Sequence, residues 1–284
     1  MKKVLIVGAS GFIGKKLTSF LQENDVEVFE VSSKDGDVVE DKTLDKFLDK
    51  EIDHLYHLSA KTFVPDSWEN PSTFFKVNSY GTINSLEFCR KTNASMTYVS
   101  SYMYGSPEEL PIPESAKLKV NNPYAASKAL AEQACEFYSE LFEVKVSVFR
   151  PFNVYGTGQN EKFLIPFVIK QALDSDTITL KDMSPKRDYL FIDDLLNGLF
   201  LALNSEKQYA VYNLGSGESY SVREVVDIVQ EWLGTKKAVV DLKQTRPNEI
   251  MDTVADVTLI KQDLNWEPKV SFKEGIKRII DTQK

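Results

Sequence analysis

Cysteine and histidine are scarce in this chain, with two of each among 284 residues. Cys89 and Cys135 have no CxxC neighbour, which argues against a disulfide framework and against a cysteine zinc site. Free thiols suit a reducing cytoplasm. His54 and His57 stand three apart in an apolar, strand-like run. Alternation turns them to opposite faces, so a core or strand-edge role is expected and no metal site. No apolar stretch is long enough to span a bilayer. The opening MKKVLIVG is too short a run for a leader and meets glycines and polar residues at once. There is no long basic run and the net charge is −8, a poor footprint for nucleic acid. The acid-rich DGDVVEDKTLDK lacks the ordered spacing of a calcium loop.

What is present is an ordinary globular composition, 42% apolar and 27% charged. Apolar runs at 3–7, 26–31, 54–58, 96–101 and 144–151 alternate with helical patterns at 13–24, 41–50, 78–92 and 123–142. That rhythm predicts βαβ units and a doubly wound parallel sheet. After about residue 152 turn-rich pieces separate helices expected near 163–174, 193–204, 221–233 and 271–281. The division is therefore a dinucleotide-binding core over 1–152 and a smaller α/β substrate lobe over 153–284. Some segments of the second part are expected to return to the core. Ligands of open α/β sheets bind at the carboxyl edge of the strands. Trp68, Trp232 and Trp266 are expected to pack.

KVLIVGASGFIGKKL places Gly8, Gly11 and Gly14 between the first strand and the first helix. Gly8 suits a tight turn, Gly11 a close approach by pyrophosphate, and Gly14 close packing of helix on strand. The helix N-terminus offers free N–H groups to the phosphates. At the end of the second strand, where an acid usually holds the ribose of NAD, stand Ser32, Ser33 and Lys34. Hydroxyls and an ammonium suit a 2′-phosphate and favour NADP(H). NAD(H) stays open, because Asp35 or Asp37 could loop back to the ribose; Asp37 is expected nearer the adenine.

NNPYAASKALAEQ sets Tyr124 and Lys128 four apart at the start of a long helix, on one face. An ammonium there should lower the phenol's pKa and let it exchange a proton with a sugar oxygen. Ser100 and Ser101 close the preceding strand and are candidates for a third member, since a hydroxyl both donates and accepts.

On these residues, together with YHLSA, VNSYGT, VSSYMYG, RPFNVYG, KRDYLFIDD, YNLGSGE and TRPNE, the chain resembles an extended short-chain dehydrogenase/reductase. Within that group it resembles the NAD-dependent epimerase/dehydratase family that modifies nucleotide sugars. The resemblance implies a Rossmann-type core, with Ser100, Tyr124 and Lys128 catalytic and Lys128 also on the nicotinamide ribose. It implies cofactor contacts from Gly8, Ser10, Gly11, Phe12, Ile13, Gly14, Leu58, Ser59, Ala60 and Asn78. Substrate contacts are implied for Ser101, Tyr102, Asn153, Leu164, Arg187, Arg246 and Glu249. Asn153 and the two arginines would hold the diphosphate, Leu164 the base and Glu249 the nucleotide ribose. Dehydratases of the family carry an Asp-Glu pair where Ser101 and Tyr102 stand, so a 4,6-dehydratase is not expected. The bulk of Tyr102, the SSK stretch and the short passage to DGDVVED favour an NADPH-dependent 4-keto(-6-deoxy) sugar reductase. The RPFNVYGTGQ and KRDYLFIDD stretches keep an NAD-dependent 4-epimerase open, and a non-catalytic NADP(H) sensor is a remoter alternative. A homodimer through a four-helix bundle is implied as well.

Overall fold

The computed structural model describes residues 1–246 and 249–282. It begins with β1 (Lys3–Val7), α1 (Phe12–Glu23), β2 (Glu27–Val31), β3 (His54–His57), the short α2 (Val64–Glu69) and α3 (Pro71–Phe74), α4 (Gly81–Thr92) and β4 (Ser95–Val99). Then come α5 (Pro123–Phe142), β5 (Val146–Pro151), β6 (Asn153–Tyr155), α6 (Leu164–Asp174), β7 (Thr177–Leu180), β8 (Lys186–Phe191), α7 (Ile192–Ala202) and β9 (Tyr209–Leu214). The last elements are β10 (Ser219–Ser221), α8 (Val222–Leu233), β11 (Ala238–Asp241), α9 (Thr258–Leu264) and α10 (Phe272–Asp281).

Six strands form one sheet in the order β2-β1-β3-β4-β5-β9. The pairings from β2 through β5 are parallel. KVLIV, HLYH and VSVFRP are buried along nearly their whole length. A parallel sheet covered on both faces needs such runs rather than alternation. The order steps outward from β1 in both directions, which makes the sheet doubly wound.

The chain divides into two compact units. One takes Met1–Gly105, Lys117–Pro151 and Leu196–Tyr212; the other takes Ser106–Ala116, Phe152–Leu195 and the chain from Asn213 onward. In the second, β8 pairs antiparallel with β10 and parallel with β6, and β11 pairs with β7. Phe272 stacks on Tyr189 and Tyr220 at 5.0 and 4.4 Å between ring centroids. The buried carboxylate of Asp188 accepts from the amides of Ser216, Gly217 and Ala255, which gathers two loops on one strand.

Several local expectations need correction. DKTLDKFLDK makes only a single 3₁₀ turn, Asp45–Phe47. Three residues cannot repay helix nucleation, and Leu44 and Phe47 are instead held by burial. The stretch read as a helix from 78 begins earlier, as a π-helical turn over Phe75–Tyr80 that runs into α4. Trp266 packs, 1% exposed, with its indole N–H on the carbonyl of Asp194; Trp68 does not, being 64% exposed. Among the described residues no helix is long and apolar enough to cross a membrane.

Both histidines are fully engaged in the core. His54 meets the hydroxyls of Ser95 and Thr97 at 2.7 and 2.9 Å. His57 meets Ser85 and Thr82 at 2.8 and 3.2 Å. Burial lowers each to a pKa of about 3. The unfolded chain therefore takes up protons near pH 6.5 that the folded chain refuses, and stability falls as pH drops through that value. Each histidine should contribute a slope of about 1.4 kcal/mol per pH unit well below pH 6.5. Urea unfolding of the wild type and His54→Gln at pH 5 and 6.5 should differ in slope by most of one proton; equal slopes would show that His54 is charged in the fold.

Candidate active site

Gly8 ends β1 with φ +96°, and a Cβ there would lie 2.7 Å from the amide nitrogen of Ser59. A Cβ on Gly14 would lie 2.3 Å from the carbonyl oxygen of Gly8, so α1 can approach the strand only with glycine. Gly11 caps α1 in extended conformation without any side-chain acceptor for the first-turn amides. Ser10 and Gly11 are exposed, and Phe12 and Ile13 are half-buried. A helix start without a side-chain cap, over a turn with glycine at positions 8 and 11, fits a pyrophosphate.

At the end of β2 the amide and hydroxyl of Ser32 both donate to Asp35, at 2.9 and 3.0 Å. Asp35 also pairs with Lys46 at 3.2 Å. The Ser32 amide bond is the main reason that the Asp35 carboxyl lies below its ordinary range. Ser32 was expected to offer its hydroxyl to a phosphate; that hydroxyl is engaged by Asp35 because the turn folds back. Ser33, Lys34 and Asp37 are exposed, and Asp37 accepts from the amide of Val39.

Leu58, Ser59 and Ala60, beyond β3, are half-buried. Asn78 was expected to line the same space, but it is fully buried. Its carbonyl accepts from the Lys61 amide at 2.8 Å. Its amide donates to the Lys61 carbonyl and the Ser127 hydroxyl at 3.0 and 2.9 Å. Asn78 fixes the segment after β3 against α5, with both side-chain N–H donors committed to the protein. The π-helical turn, a feature often found at functional sites, is what carries it there.

Asn122 caps α5 by accepting from the amide of Ala125 at 2.8 Å, with Pro123 opening the helix. This sets Tyr124 and Lys128 on the first two turns. Ser100 follows β4, its amide donating to the Phe149 carbonyl at 2.7 Å. Its hydroxyl is buried and has no hydrogen-bond partner. Lys128 is buried, donates from Nζ to the Val99 carbonyl at 2.6 Å, and lies 4.4 Å from the Tyr98 ring centroid. Burial lowers its pKa to about 7, with Glu132 opposing. The expected lowering of the Tyr124 phenol is not found. Its ring is partly exposed, yet burial around the hydroxyl raises the phenol, with a bond to Ser101 opposing. Lys128 is turned to Val99, so its charge does not offset that burial. Ser101 and Tyr102 are half-buried beside this group.

The second unit holds the remaining candidates. Asn153 donates to the carbonyl of Asp188 at 3.1 Å, beside Arg187. Arg187 was expected to hold phosphate. Its fork instead pairs with the Glu249 carboxylate and donates to the carbonyl of Ile250, since a fork and a carboxylate in reach of each other pair strongly. Arg246 is exposed, and its carbonyl accepts from the Glu249 amide at 3.1 Å. Leu164 opens α6, half-buried. Pro247 and Asn248 of the TRPNE stretch lie outside the described residues. Sequence reasoning missed a buried ion pair, Arg150 with Glu132. The signal was there, an acid one helical turn after Lys128.

A family model described as GDP-mannose 4,6 dehydratase matches residues 30–279. A relative from Methanocaldococcus jannaschii named "Putative UDP-glucose 4-epimerase" is 29% identical, covering 99% of this chain and 98% of its own. One from Pseudomonas aeruginosa named "GDP-6-deoxy-D-mannose reductase" is 27% identical over 98% of this chain and 96% of its own. The solved structure of RMD from Pseudomonas aeruginosa complexed with NADPH superposes with a TM-score of 0.90 at 27% identity, covering 99% of this chain and 98% of that one. With the parallel sheet, the glycine turn and the Ser100–Tyr124–Lys128 group, these likenesses establish that the chain belongs to the extended short-chain dehydrogenase/reductases, in the NAD-dependent epimerase/dehydratase family.

Proposed function

We propose that this chain is an NAD(P)-dependent oxidoreductase acting at C4 of a nucleoside-diphosphate sugar, with Ser100, Tyr124 and Lys128 as its acid–base group. The observation that carries the reading is the Ser100 hydroxyl, buried and unpartnered next to the residue whose carbonyl receives Lys128. A buried polar atom without a partner is uncommon, and a substrate oxygen is the partner this one suits. A bound nicotinamide supplies or accepts the hydride; Gly8, Gly11 and Gly14 would hold its pyrophosphate, and Leu58, Ser59 and Ala60 would line its path. In the direction of reduction Tyr124 gives its proton to the C4 oxygen and Ser100 holds that oxygen. Lys128, as the ammonium, would have to turn from the Val99 carbonyl to offset the phenolate that remains.

Within that class the favoured type is an NADPH-dependent reductase of a 4-keto or 4-keto-6-deoxy sugar. Exposed Ser33 and Lys34, with Lys46 neutralising Asp35, suit a 2′-phosphate. The reductase relative and the NADPH-bound neighbour support the same choice. The second reading, an NAD-dependent 4-epimerase, is supported by the relative named "Putative UDP-glucose 4-epimerase" and by Asp35, which is fixed on Ser32 and sets a carboxylate beside the place of that phosphate. A homodimer is proposed too, supported by Phe137 and Leu141 standing exposed on one stripe of α5.

Tyr124→Phe should lower kcat about 10²- to 10⁴-fold while cofactor binding, followed by nicotinamide fluorescence, changes less than about twofold; undiminished turnover would remove Tyr124 from the chemistry. Since Lys128 must be charged and its pKa is about 7, kcat/KM should decline as pH rises through about 7, and a flat profile to pH 9 would contradict this role. On denaturation the purified protein should release little nucleotide, and the native protein should consume NADPH in proportion to a supplied 4-keto sugar. Release of one equivalent of NAD, with turnover of UDP-glucose and no added cofactor, would establish the epimerase instead.

A further inference from the structure

Arg150 stands next to the end of β5 and is buried, as are Glu132 and Tyr104. Its Nε lies 3.1 and 3.2 Å from the two carboxylate oxygens of Glu132, and Nη2 lies 2.6 Å from one of them. Nη1 donates to the Tyr104 hydroxyl at 3.0 Å. Glu132 is one helical turn beyond Lys128 on α5, and Tyr104 is four residues beyond Ser100. A single guanidinium thus joins the helix that carries Tyr124 and Lys128 to the segment that carries Ser100, Ser101 and Tyr102. Two further ties close the ring: Lys128 Nζ on the Val99 carbonyl, and the Ser100 amide on the carbonyl of Phe149, the residue before Arg150.

Stability alone does not account for this arrangement. Desolvating two charges costs about what their attraction returns, and well-packed apolar residues of similar volume often serve as well. Geometry is what the pair adds. A planar fork holds a carboxylate by two parallel bonds and still reaches a third partner, which a lysine cannot do.

We propose that Arg150, Glu132 and Tyr104 are positioning residues, a buried strut that sets the spacing of the Ser100 segment against the Tyr124–Lys128 turn and thereby the rate of proton transfer. The inference rests on the acid–base role given to those three residues under Proposed function. The strut has an electrostatic side. Lys128 faces the Tyr98 ring, His57, Cys135 and Glu132. Of these, Glu132 favours its charged form, against the burial that brings it to about 7.

The test compares wild type, Tyr104→Phe, Glu132→Gln and the double variant Glu132→Met/Arg150→Met. Turnover is measured with whichever pair the wild type accepts, a GDP-linked 4-keto-6-deoxyhexose with NADPH or UDP-glucose with NAD. The double variant should melt within a few degrees of wild type, and its kcat should fall about 100-fold with KM nearly unchanged. Tyr104→Phe should lower kcat about tenfold in the same manner. In parallel, the Lys128 titration midpoint, read by ¹⁵N NMR of the side-chain amine, should move below that of wild type in Glu132→Gln and in the double variant. A folded double variant with kcat within twofold of wild type, or an unmoved Lys128 midpoint, would overturn the proposal. If the double variant does not fold, Tyr104→Phe decides on kcat and Glu132→Gln on the midpoint. If the wild type turns over neither pair, the functional reading fails separately, and the strut is judged on the Lys128 midpoint alone.

Discussion

Parallel pairing is the constraint on which the rest of the first unit depends. Because β1, β2, β3 and β4 run the same way and neighbour one another in the order β2-β1-β3-β4, their carboxyl ends fall in one row. In the order of the strands across the sheet that row is Ser32, Gly8, Leu58 and Ser100. The hydrogen bonds that continue the ladders past the strand ends hold it: Gly8 and Ala9 amides on the Val31 carbonyl, Leu58 on Val7, Ser100 on Phe149. Gly8, Leu58 and Ser100 inherit their places from a backbone register, and for β1, β3 and β4 that register is fixed by apolar runs that are almost wholly buried.

The same burial sets the chemistry of the group on α5. A lysine amine and a tyrosine hydroxyl placed against a packed sheet both lose solvation, which pushes the amine down and the phenol up. The two shifts oppose what an acid–base pair at neutral pH needs from its tyrosine and bring the lysine to the middle of the working range. A buried carboxylate one turn on is the counterweight on the lysine side. The hydroxyl of Ser101 is the counterweight on the tyrosine side. Neither phenol nor amine can be understood from its own residue type.

Most of the first unit was legible because its signals are local. Glycine spacing, an Asn-Pro helix start and unbroken apolar runs each report on a few neighbouring residues, and the sheet follows from their alternation. The second unit was read less fully. Its helices carried clear periodicity, but β6, β7, β10 and β11 are only three or four residues long, too short for a period to register. What the sequence could not disclose were pairings across long separations. Arg187 with Glu249 and Asn78 with Ser127 and Lys61 turn residues marked for ligands toward the protein itself. Asp35 on Ser32 is local, and it was missed because an Asp in a turn can point either way; the structure shows which.

The threading of the chain has a consequence for how such a protein can change over generations. Each unit is assembled from three separate stretches. Leu196–Tyr212, coming late in the chain, gives the first unit the carbonyl of Leu199 that receives the Tyr56 hydroxyl and the carbonyl of Gln208 that receives the Val146 amide. Ser106–Ala116, coming early, belongs with the second unit, where the carbonyl of Ile112 receives Asn213. A genetic crossover near the codon for Pro151 would leave both units incomplete. Ligand preference in a chain of this layout is therefore open to change by substitution at the strand ends and turns, and largely closed to the trading of one unit for another.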